Sequence, residues 1–341
     1  MDFAQLKILY VMPGFDEGGA EVHVLNLIRG MSKNGHDVTL ASSGGRLEKD
    51  LPPSAKILHV PAHVKNPITI IYSAVRLAVL SRKFHWDIIH AHSRVPAWVS
   101  WLASKLTGAK WIVTAHSLYS LNAGLIPFSH ADGAICISRS VMSHLEGRLP
   151  KNAEIIPNGI IPPEFCYGDF QHDDTRFLIV GRLTRLKAVD VALNALAGLK
   201  GYSWTLDVLG EGDERGNLES LSSKLGISER VKFHGDKSKS EVSKFMAQSS
   251  CILFTSKSEG AGLVVYEALN AGLPVIASDI DAMREIANDD GDLVMAGNVQ
   301  EWRKAIERFI LTGKSSSLDA ENIITVDKMT IKTEKYYRKV L

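Results

Sequence analysis

Two glutamates bracket a glycine-containing loop in the second half of the chain. Residues 255 to 267 read TSKSEGAGLVVYE, with Glu259 before the glycines and Glu267 inside a helix predicted to begin near Gly262. A helix start presents unpaired backbone N–H groups and a positive dipole end, which together bind anions. Because helical side chains tilt toward the N-terminus, Glu267 is expected to reach back toward hydroxyls beside that anion. This pattern suits a polyhydroxylated phosphoester, although either glutamate alone would equally fit a solvated surface position.

Two fixed cations follow a predicted strand, Arg176–Val180. The chain continues GRLTRLK, which places Arg182 and Lys187 at the carboxyl edge of the sheet, where doubly wound folds bind ligands. A planar guanidinium and a compact ammonium together neutralise a diphosphate. They also stabilise the negative charge that builds on a leaving phosphate oxygen, so no metal is then needed. The alternative is that both are solubilising surface charges.

Short β-branched runs alternate with longer helical patterns along the whole chain, which predicts parallel sheets covered by helices. In the first half the predicted strands are Leu6–Val11, Asp37–Ala41, Ile57–Val60, Ile88–Ala91, Trp111–Ala115 and Gly133–Ile137. The predicted helices between them are Ala20–Met31, Thr69–Arg82, Ala97–Leu106 and Arg139–Gly147. In the second half the predicted strands are Arg176–Val180, Thr205–Leu209, Val231–His234, Cys251–Thr255 and Pro274–Ala277.

This alternation predicts an α/β protein of two doubly wound, Rossmann-like domains, residues 1–160 and 161–327. The stretch Pro157–Asp174 contains Asn-Gly and Pro-Pro pairs and is the predicted linker. A terminal helical segment, residues 328–341, has no obvious strand partner in its own domain. We expect it to pack back on the first domain.

The composition fits two globular domains, since 45% of the 341 residues are hydrophobic and 23% are charged. A formal net charge of +1 argues against a dedicated nucleic-acid binder. Cys136, Cys166 and Cys251 show neither close pairing nor metal-ligand spacing, which favours a reducing compartment. With no recognisable signal peptide or membrane span, the chain is expected to be cytoplasmic, either free or peripheral on the cytoplasmic face of the membrane.

Four motifs, taken in order, resemble the retaining GT-B glycosyltransferases of family 4. They are Gly18-Gly19-Ala20-Glu21, Gly181-Arg182 with Lys187, Gly210-Glu211-Gly212, and the two glutamates in an E-x7-E frame. The resemblance covers nearly the whole chain. It implies an acceptor-binding first domain and a donor-binding second domain that face a central cleft. It further implies that a sugar moves from a nucleoside-diphosphate sugar to a hydroxyl of a saccharide or lipid-linked glycan, with retention of anomeric configuration and without a metal or other cofactor.

The resemblance also implies a role for each site residue. Arg182 and Lys187 would grip the donor diphosphate, Glu267 the ribose and Glu259 the transferred sugar. Family members often have an aromatic residue where this chain has Ala261, which leaves the sugar identity open. The backbone that would line the sugar and phosphate comprises Gly260, Ala261, Gly262 and Leu263.

Five further positions belong to the first half. His116 follows a predicted strand and resembles the family histidine that faces the donor sugar. Gly18 and Gly19 precede a predicted helix and would let the backbone approach phosphates and acceptor, or would serve a plain helix-entry turn. The neighbouring His90 and His92 are expected on the acceptor side or in packing, and a His-x-His pair alone is not a metal site.

Gly210 and Gly212 follow the predicted strand Thr205–Leu209 in the second half. We expect them mainly to form a turn beside the nucleotide.

A basic, apolar helical pattern spans Ile68–Arg82. Its apolar positions are Ile71, Ala74, Val75, Ala78 and Val79, and its cations are Arg76, Arg82 and the adjacent Lys83. Such a helix could rest on a membrane that carries a lipid-linked acceptor, or it could face the core of the first domain.

Two other functions fit the same pattern. One is a nucleotide-sugar 2-epimerase of the same fold, and the other is a non-catalytic, two-lobed sugar-binding protein. No nucleic-acid partner is expected.

Overall fold

The computed structural model describes residues 4–16, 18–168, 174–287, 292–319 and 323–341. The chain divides into two compact units. The first domain comprises Met1–Gly159 and Ile324–Leu341, and the second comprises Ile160–Ile323. The predicted division after residue 160 therefore differs from the observed one by a single residue.

The first domain is built on a parallel sheet. Its strands are β1 (Lys7–Val11), β2 (Asp37–Ser42), β3 (Lys56–His59), β4 (Ile88–His92), β5 (Lys110–Ala115), β6 (Gly133–Cys136) and β7 (Glu154–Ile155). The helices that alternate with them are α1 (Gly19–Lys33), α2 (Pro67–Phe84), α3 (Arg94–Thr107) and α4 (Arg139–His144), together with short 3-10 helices at Arg46–Asp50 and Ala123–His130. The strands lie in the order β3-β2-β1-β4-β5-β6-β7.

The second domain repeats this plan. Its strands are β8 (Thr175–Val180), β9 (Trp204–Leu209), β10 (Val231–Gly235), β11 (Cys251–Phe254), β12 (Val275–Asp279) and β13 (Val294–Met295). Its helices are α5 (Val189–Ala197), α6 (Arg215–Lys224), α7 (Lys239–Ala247), α8 (Leu263–Asn270), α9 (Asp281–Arg284) and α10 (Val299–Thr312), with a 3-10 turn at Ser228–Arg230. The strands lie in the order β10-β9-β8-β11-β12-β13. The two doubly wound α/β domains expected from the sequence are present.

The central strands are mostly apolar because helices cover both faces of a parallel sheet. Every residue of β11 is buried, as is every residue of β1 after Lys7. Each predicted strand agrees with an observed one to within two residues at either end. The edge strands β7 and β13 were not predicted, since two residues are too few to show a periodic pattern.

The terminal helix α11 (Val326–Val340) packs on the first domain through two buried tyrosines. The Tyr336 hydroxyl accepts from the backbone N–H of Ala134 at 2.8 Å, and a 2.6 Å hydrogen bond joins the Tyr337 hydroxyl to His90 Nδ1. The helix begins two residues before the predicted segment 328–341 because the Thr325 side chain caps it.

The predicted linker Pro157–Asp174 is not a free connection where the structure describes it. The Tyr167 N–H donates to the carbonyl of Ala271 at 2.8 Å, and the two N–H groups at positions 164 and 165 donate to the Ser243 hydroxyl. These bonds tie the segment to the second domain. Residues 169–173 of the predicted linker lie outside the described residues.

Helix α2 buries Ser73, Ala74 and Leu77 and exposes an apolar face. Exposed large apolar side chains on this helix are Ile68, Ile71, Tyr72, Val75 and Val79. The core-facing alternative is therefore wrong for three of the five apolar positions named from the sequence. Across the described ranges, no helix combines the length and apolarity that crossing a bilayer requires.

Candidate active site

The loops that follow β8 and β11 lie side by side. These strands are neighbours in the second sheet although two other strands separate them in the chain, and carboxyl ends of parallel strands share one edge. The Thr255 hydroxyl, just after β11, donates to the backbone carbonyl of Lys187 at 2.8 Å. This bond fixes the loop 181–188 against the loop 255–262.

Lys187 and Glu259 meet at this edge. The Lys187 ammonium forms an ion pair with Glu259 Oε1, and the Ser256 hydroxyl donates to the same oxygen at 2.9 Å. Lys187 Nζ also lies 5.7 Å from the ring centroid of Phe254. Because an ammonium has three donors, Lys187 retains hydrogen-bonding capacity for an anion while Glu259 orients it. The structure thus unites two predicted site residues that are 72 positions apart.

Arg182 lies in the same loop as Lys187 and is exposed. Its guanidinium forms no ion pair or hydrogen bond with any residue that the structure describes. By contrast, Arg185 Nε lies 3.2 Å from Glu214 Oε1. Arg182 therefore has all five of its donors available for a ligand.

Glycine is required where the loops approach closely. Gly210, directly after β9, has φ +126°, and a Cβ there would lie 2.1 Å from the carbonyl oxygen of Gly181. Gly212 is equally restricted, because its Cβ would lie 2.2 Å from the carbonyl oxygen of Leu183. Both glycines thus belong to the turn that supports the Arg182 loop, in agreement with the turn role expected from the sequence.

Helix α8 begins at Leu263 directly after the glycine loop. Gly262 precedes it with φ +71°, and a Cβ there would lie 2.8 Å from Met283 Cε. This conformation favours glycine, and the helix start that it creates presents unpaired N–H groups to an anion. Gly260 and Ala261 are buried immediately before it.

Glu267 lies in the second turn of α8 and is half-buried. Burial raises the pKa of its carboxyl, and the charge of Lys239 opposes that rise. The carboxylate has no hydrogen-bond partner among the residues described by the structure. A half-buried carboxylate without a protein partner is a candidate ligand-binding group.

His116 follows β5 in the first domain and is half-buried. Its Nε2 lies 2.9 Å from Nδ1 of His92, the last residue of the neighbouring strand β4. Burial, reinforced by His23 and His90, holds the pKa of His116 well below its usual range. The ring is therefore neutral at neutral pH.

Gly18 and Gly19 form the entry to α1. Gly18 precedes the helix with φ −165°, an extended conformation open to any residue, and Gly19 is the first helical residue. A Cβ on Gly18 would meet only the flexible Glu21 side chain, at 2.3 Å from Oε2. Backbone conformation therefore does not demand glycine at position 18.

Comparison with known families accounts for both domains. The model described as Glycosyltransferase Family 4 matches residues 17–162, and the model described as Glycosyl transferases group 1 matches residues 168–322. The chain belongs to glycosyltransferase family 4. Each match falls on one of the two observed domains, apart from a few residues at the division.

One similar protein supports this membership, and two solved structures share the fold. This family 4 glycosyltransferase is 26% identical to a subunit of the human phosphatidylinositol N-acetylglucosaminyltransferase, over 95% of this chain and 73% of the human protein. Its fold matches that of a glycosyltransferase from Rickettsia africae ESF-5 (TM-score 0.85, 22% identity, 99% of both chains). It also matches that of Anabaena HepE solved with UDP-glucose (TM-score 0.83, 17% identity, 98% of this chain and 100% of HepE). The GT-B fold implied by the sequence resemblance is confirmed.

The structure decides between the two roles left open for His90, and it adds one residue of this family 4 glycosyltransferase that sequence reasoning missed. His90, the other histidine of the His-x-His pair, is bonded to Tyr337 and, at 2.7 Å, to Thr114, which makes it a packing residue. His23 was not selected, yet its ring centroid lies 4.9 Å from that of His116. The only sequence signal was its position one turn after Gly19 on α1.

Proposed function

We propose that this protein is a retaining glycosyltransferase that uses a nucleoside-diphosphate sugar. The observation that carries the proposal is the meeting of Lys187 and Glu259 at the carboxyl edge of the second sheet, in a loop whose Arg182 guanidinium is unpaired among the described residues. Arg182 and Lys187 bind the diphosphate, Glu267 binds the ribose and Glu259 contacts the transferred sugar. Similarity to a fold that holds UDP-glucose supports a nucleotide-sugar donor.

The first domain supplies the acceptor site and His116, which contacts the sugar. A neutral histidine is suited to this role, because it hydrogen-bonds a hydroxyl without adding positive charge next to a developing oxocarbenium ion. The acceptor is a hydroxyl of a saccharide or of a lipid-linked glycan.

In the reaction, the bond between the anomeric carbon and the diphosphate oxygen breaks, and its electron pair leaves with the nucleoside diphosphate. The acceptor oxygen bonds to the same face of the sugar, and its proton passes to the departing phosphate oxygen. Arg182, Lys187 and the N-terminus of α8 stabilise the leaving group, so we propose that catalysis requires no divalent metal. Activity is accordingly expected to persist in excess EDTA.

The proposal is tested first by ligand binding. UDP, GDP and ADP are added separately, and one is expected to raise the melting temperature, since saturation at about 100 times Kd contributes about 2.7 kcal/mol. The matching sugar nucleotide is then incubated with acceptors, and NMR coupling constants report the anomer formed. An inverted product would refute retention, and binding without turnover would indicate the sugar-binding alternative. Epimerised donor in the absence of acceptor would indicate the 2-epimerase.

We further propose that helix α2 contacts an anionic membrane surface. Residues 51–86 contain five Lys or Arg residues and no Asp or Glu. Lys56 pairs with Asp37 of β2 at 2.6 Å, whereas the other four cations form no ion pair with the described residues. The exposed face of α2 presents Ile68, Ile71 and Val79 with exposed fractions of 78%, 54% and 57%. Apolar side chains beside uncompensated cations are typical of helices that lie in a lipid interface. Such a contact would bring the first domain to a lipid-linked acceptor.

Replacing Ile71 and Val75 together with glutamate is expected to weaken vesicle binding by about 10-fold or more, because two apolar contacts with lipid are lost and negative charge is added. Co-sedimentation with phosphatidylcholine vesicles, with and without phosphatidylglycerol, measures the effect. Leu311→Glu, which changes an exposed apolar residue of the second domain, is the matched control. Equal vesicle binding by the wild type, the double variant and Leu311→Glu would exclude a membrane contact through α2, as would absence of wild-type binding at low salt.

A further inference from the structure

Three histidines of the first domain converge in its interior. His23 of α1, His92 of β4 and His116 after β5 each place one ring nitrogen within 4.8 Å of the other two. We call them the histidine trio. They converge because β1, which leads into α1, and β5 both flank β4 in the sheet.

The histidine trio is under-satisfied in hydrogen bonds. His23 is 3% exposed and His92 is 0% exposed. Neither ring nitrogen of His23, nor Nε2 of His92, has a hydrogen-bond partner among the described residues. Leaving a buried polar atom unpaired costs about 1–3 kcal/mol, so several such atoms at one point indicate a missing ligand.

Asn158 extends this unsatisfied region. The Asn158 side chain is near enough to favour the charged form of His23, although no contact between the two side chains meets hydrogen-bond geometry. Asn158 Oδ1 has no hydrogen-bond partner in the described part of the chain. An acceptor oxygen is thus available beside the three rings. It is suited to receive a hydrogen bond from a water molecule bound at this place.

The donor set suits a transition-metal ion, and one of the three nitrogen–nitrogen distances is already close to that of a metal site. Zn²⁺–N bonds of about 2.0–2.1 Å place neighbouring ligand nitrogens of a tetrahedral site about 3.3 Å apart. Nδ1 of His92 and Nε2 of His116 are 2.9 Å apart, so they need to separate only slightly. When the metal binds, the ring that donates this hydrogen bond carries its proton on its other nitrogen instead. Both facing nitrogens can then coordinate the ion, and neither ring loses a proton. The half-buried His116 gives the ion a route of entry.

The protonation states agree with this geometry. Burial lowers the pKa of His23 to about 4 and holds the pKa of His92 well below its usual range. Neutral imidazoles are the form that binds metal. The interior therefore keeps all three rings ready to act as ligands at neutral pH.

We propose that the histidine trio binds one Zn²⁺ ion, with three imidazole ligands and a fourth position open to water. This ion is not the catalyst. A metal that holds His116 withdraws it from the sugar, so Zn²⁺ is expected to inhibit transfer. That consequence rests on the proposed function, whereas the binding site does not.

The test uses the tag-free full chain without any sugar nucleotide, and Co²⁺ as a spectroscopic probe for Zn²⁺. One equivalent of Co²⁺ is expected to give the visible absorption of a tetrahedral nitrogen site, and one equivalent of Zn²⁺ should displace it. His23→Gln and His116→Gln are each expected to lower the affinity for Co²⁺ about 100-fold or more. Losing only a residue that hydrogen-bonds a metal ligand typically lowers metal affinity 10- to 100-fold. His63→Gln, at an exposed position, should leave affinity unchanged.

Circular dichroism checks that both variants fold. Should either fail to fold, X-ray absorption of the Zn²⁺-loaded wild type decides, because three imidazoles in the first coordination shell would support the site. Absence of stoichiometric binding, or binding that both trio variants retain, would overturn the proposal. Because no donor is present, failure of the proposed transferase activity cannot be mistaken for failure of this site.

Discussion

Replacing Arg182 with alanine is expected to lower kcat/KM for the sugar donor by about 100-fold or more, which is the usual effect of removing one preorganised donor to a developing anion. Arg182 is exposed and unpaired within the described residues, so its removal breaks no internal contact. The loop keeps its shape because the N–H groups of Gly181 and Leu183 donate to the carbonyls of Leu209 and Glu211, and the Thr255 hydroxyl donates to the carbonyl of Lys187. The loss should therefore appear in donor turnover and not in the free energy of unfolding.

Arg185→Ala is the matched control for this variant. Arg185 lies three residues further along the same loop, and its guanidinium pairs with Glu214 rather than standing free. Initial rates at several donor concentrations, together with urea unfolding of all three proteins, measure the difference. Equal kcat/KM for wild type and Arg182→Ala would remove Arg182 from the donor site.

Acidification from about pH 7 to pH 5 is expected to destabilise the first domain by several kcal/mol. Burial lowers the pKa of His23 to about 4 and holds those of His90, His92 and His116 well below 6.5. The folded rings thus stay neutral where the unfolded chain binds protons. Because unfolding then takes up protons, the free energy of unfolding falls as the pH falls below about 6.5.

Each such histidine lowers the free energy of unfolding by about 1.4 kcal/mol per pH unit below the unfolded pKa, which amounts to about 2 kcal/mol between pH 7 and pH 5. The contribution of His23 is complete near its folded pKa of about 4. A typical domain has only about 5–15 kcal/mol of total stability, so the combined effect of these four histidines is a large fraction of it. Stopping at pH 5 limits interference from Glu334, whose lowered pKa makes it titrate at more acidic pH.

Hydrogen exchange read by mass spectrometry resolves the first domain from the second across this pH range. His92→Gln is expected to reduce the slope of the opening free energy against pH, because about one fewer proton is taken up when the domain opens. His63→Gln, on an exposed turn, should leave the slope as in wild type. A wild-type first domain with unchanged protection from pH 7 to pH 5 would contradict the assignment of neutral buried rings.

Local sequence pattern was sufficient to predict the two parallel sheets, because strands covered on both faces are apolar along their length and stand out from the helices between them. It also predicted that Lys187 and Glu259 would follow strands. Their ion pair depends on β8 and β11 being neighbours, and strand order is set by long-range packing that no local pattern records.

The same distinction applies to helix α2. The sequence determined that residues near 68–82 form a helix, but apolar residues surround too much of it to indicate which face is buried. Packing against the first domain decided that Ala74 and Leu77 turn inward and that Ile71, Val75 and Val79 stay exposed. The sequence had left membrane contact and core packing open as alternatives, and only the tertiary structure showed which apolar residues of α2 are exposed.

The sequence by itself determined the fold class, the resemblance to family 4 and the positions of the charged loops, since these depend on residue type and short spacing. Only the tertiary structure decided that His23, His92 and His116 share one place in the interior. They come from a helix and two strand ends that are distant in the chain, and the order of strands in the sheet brings them together.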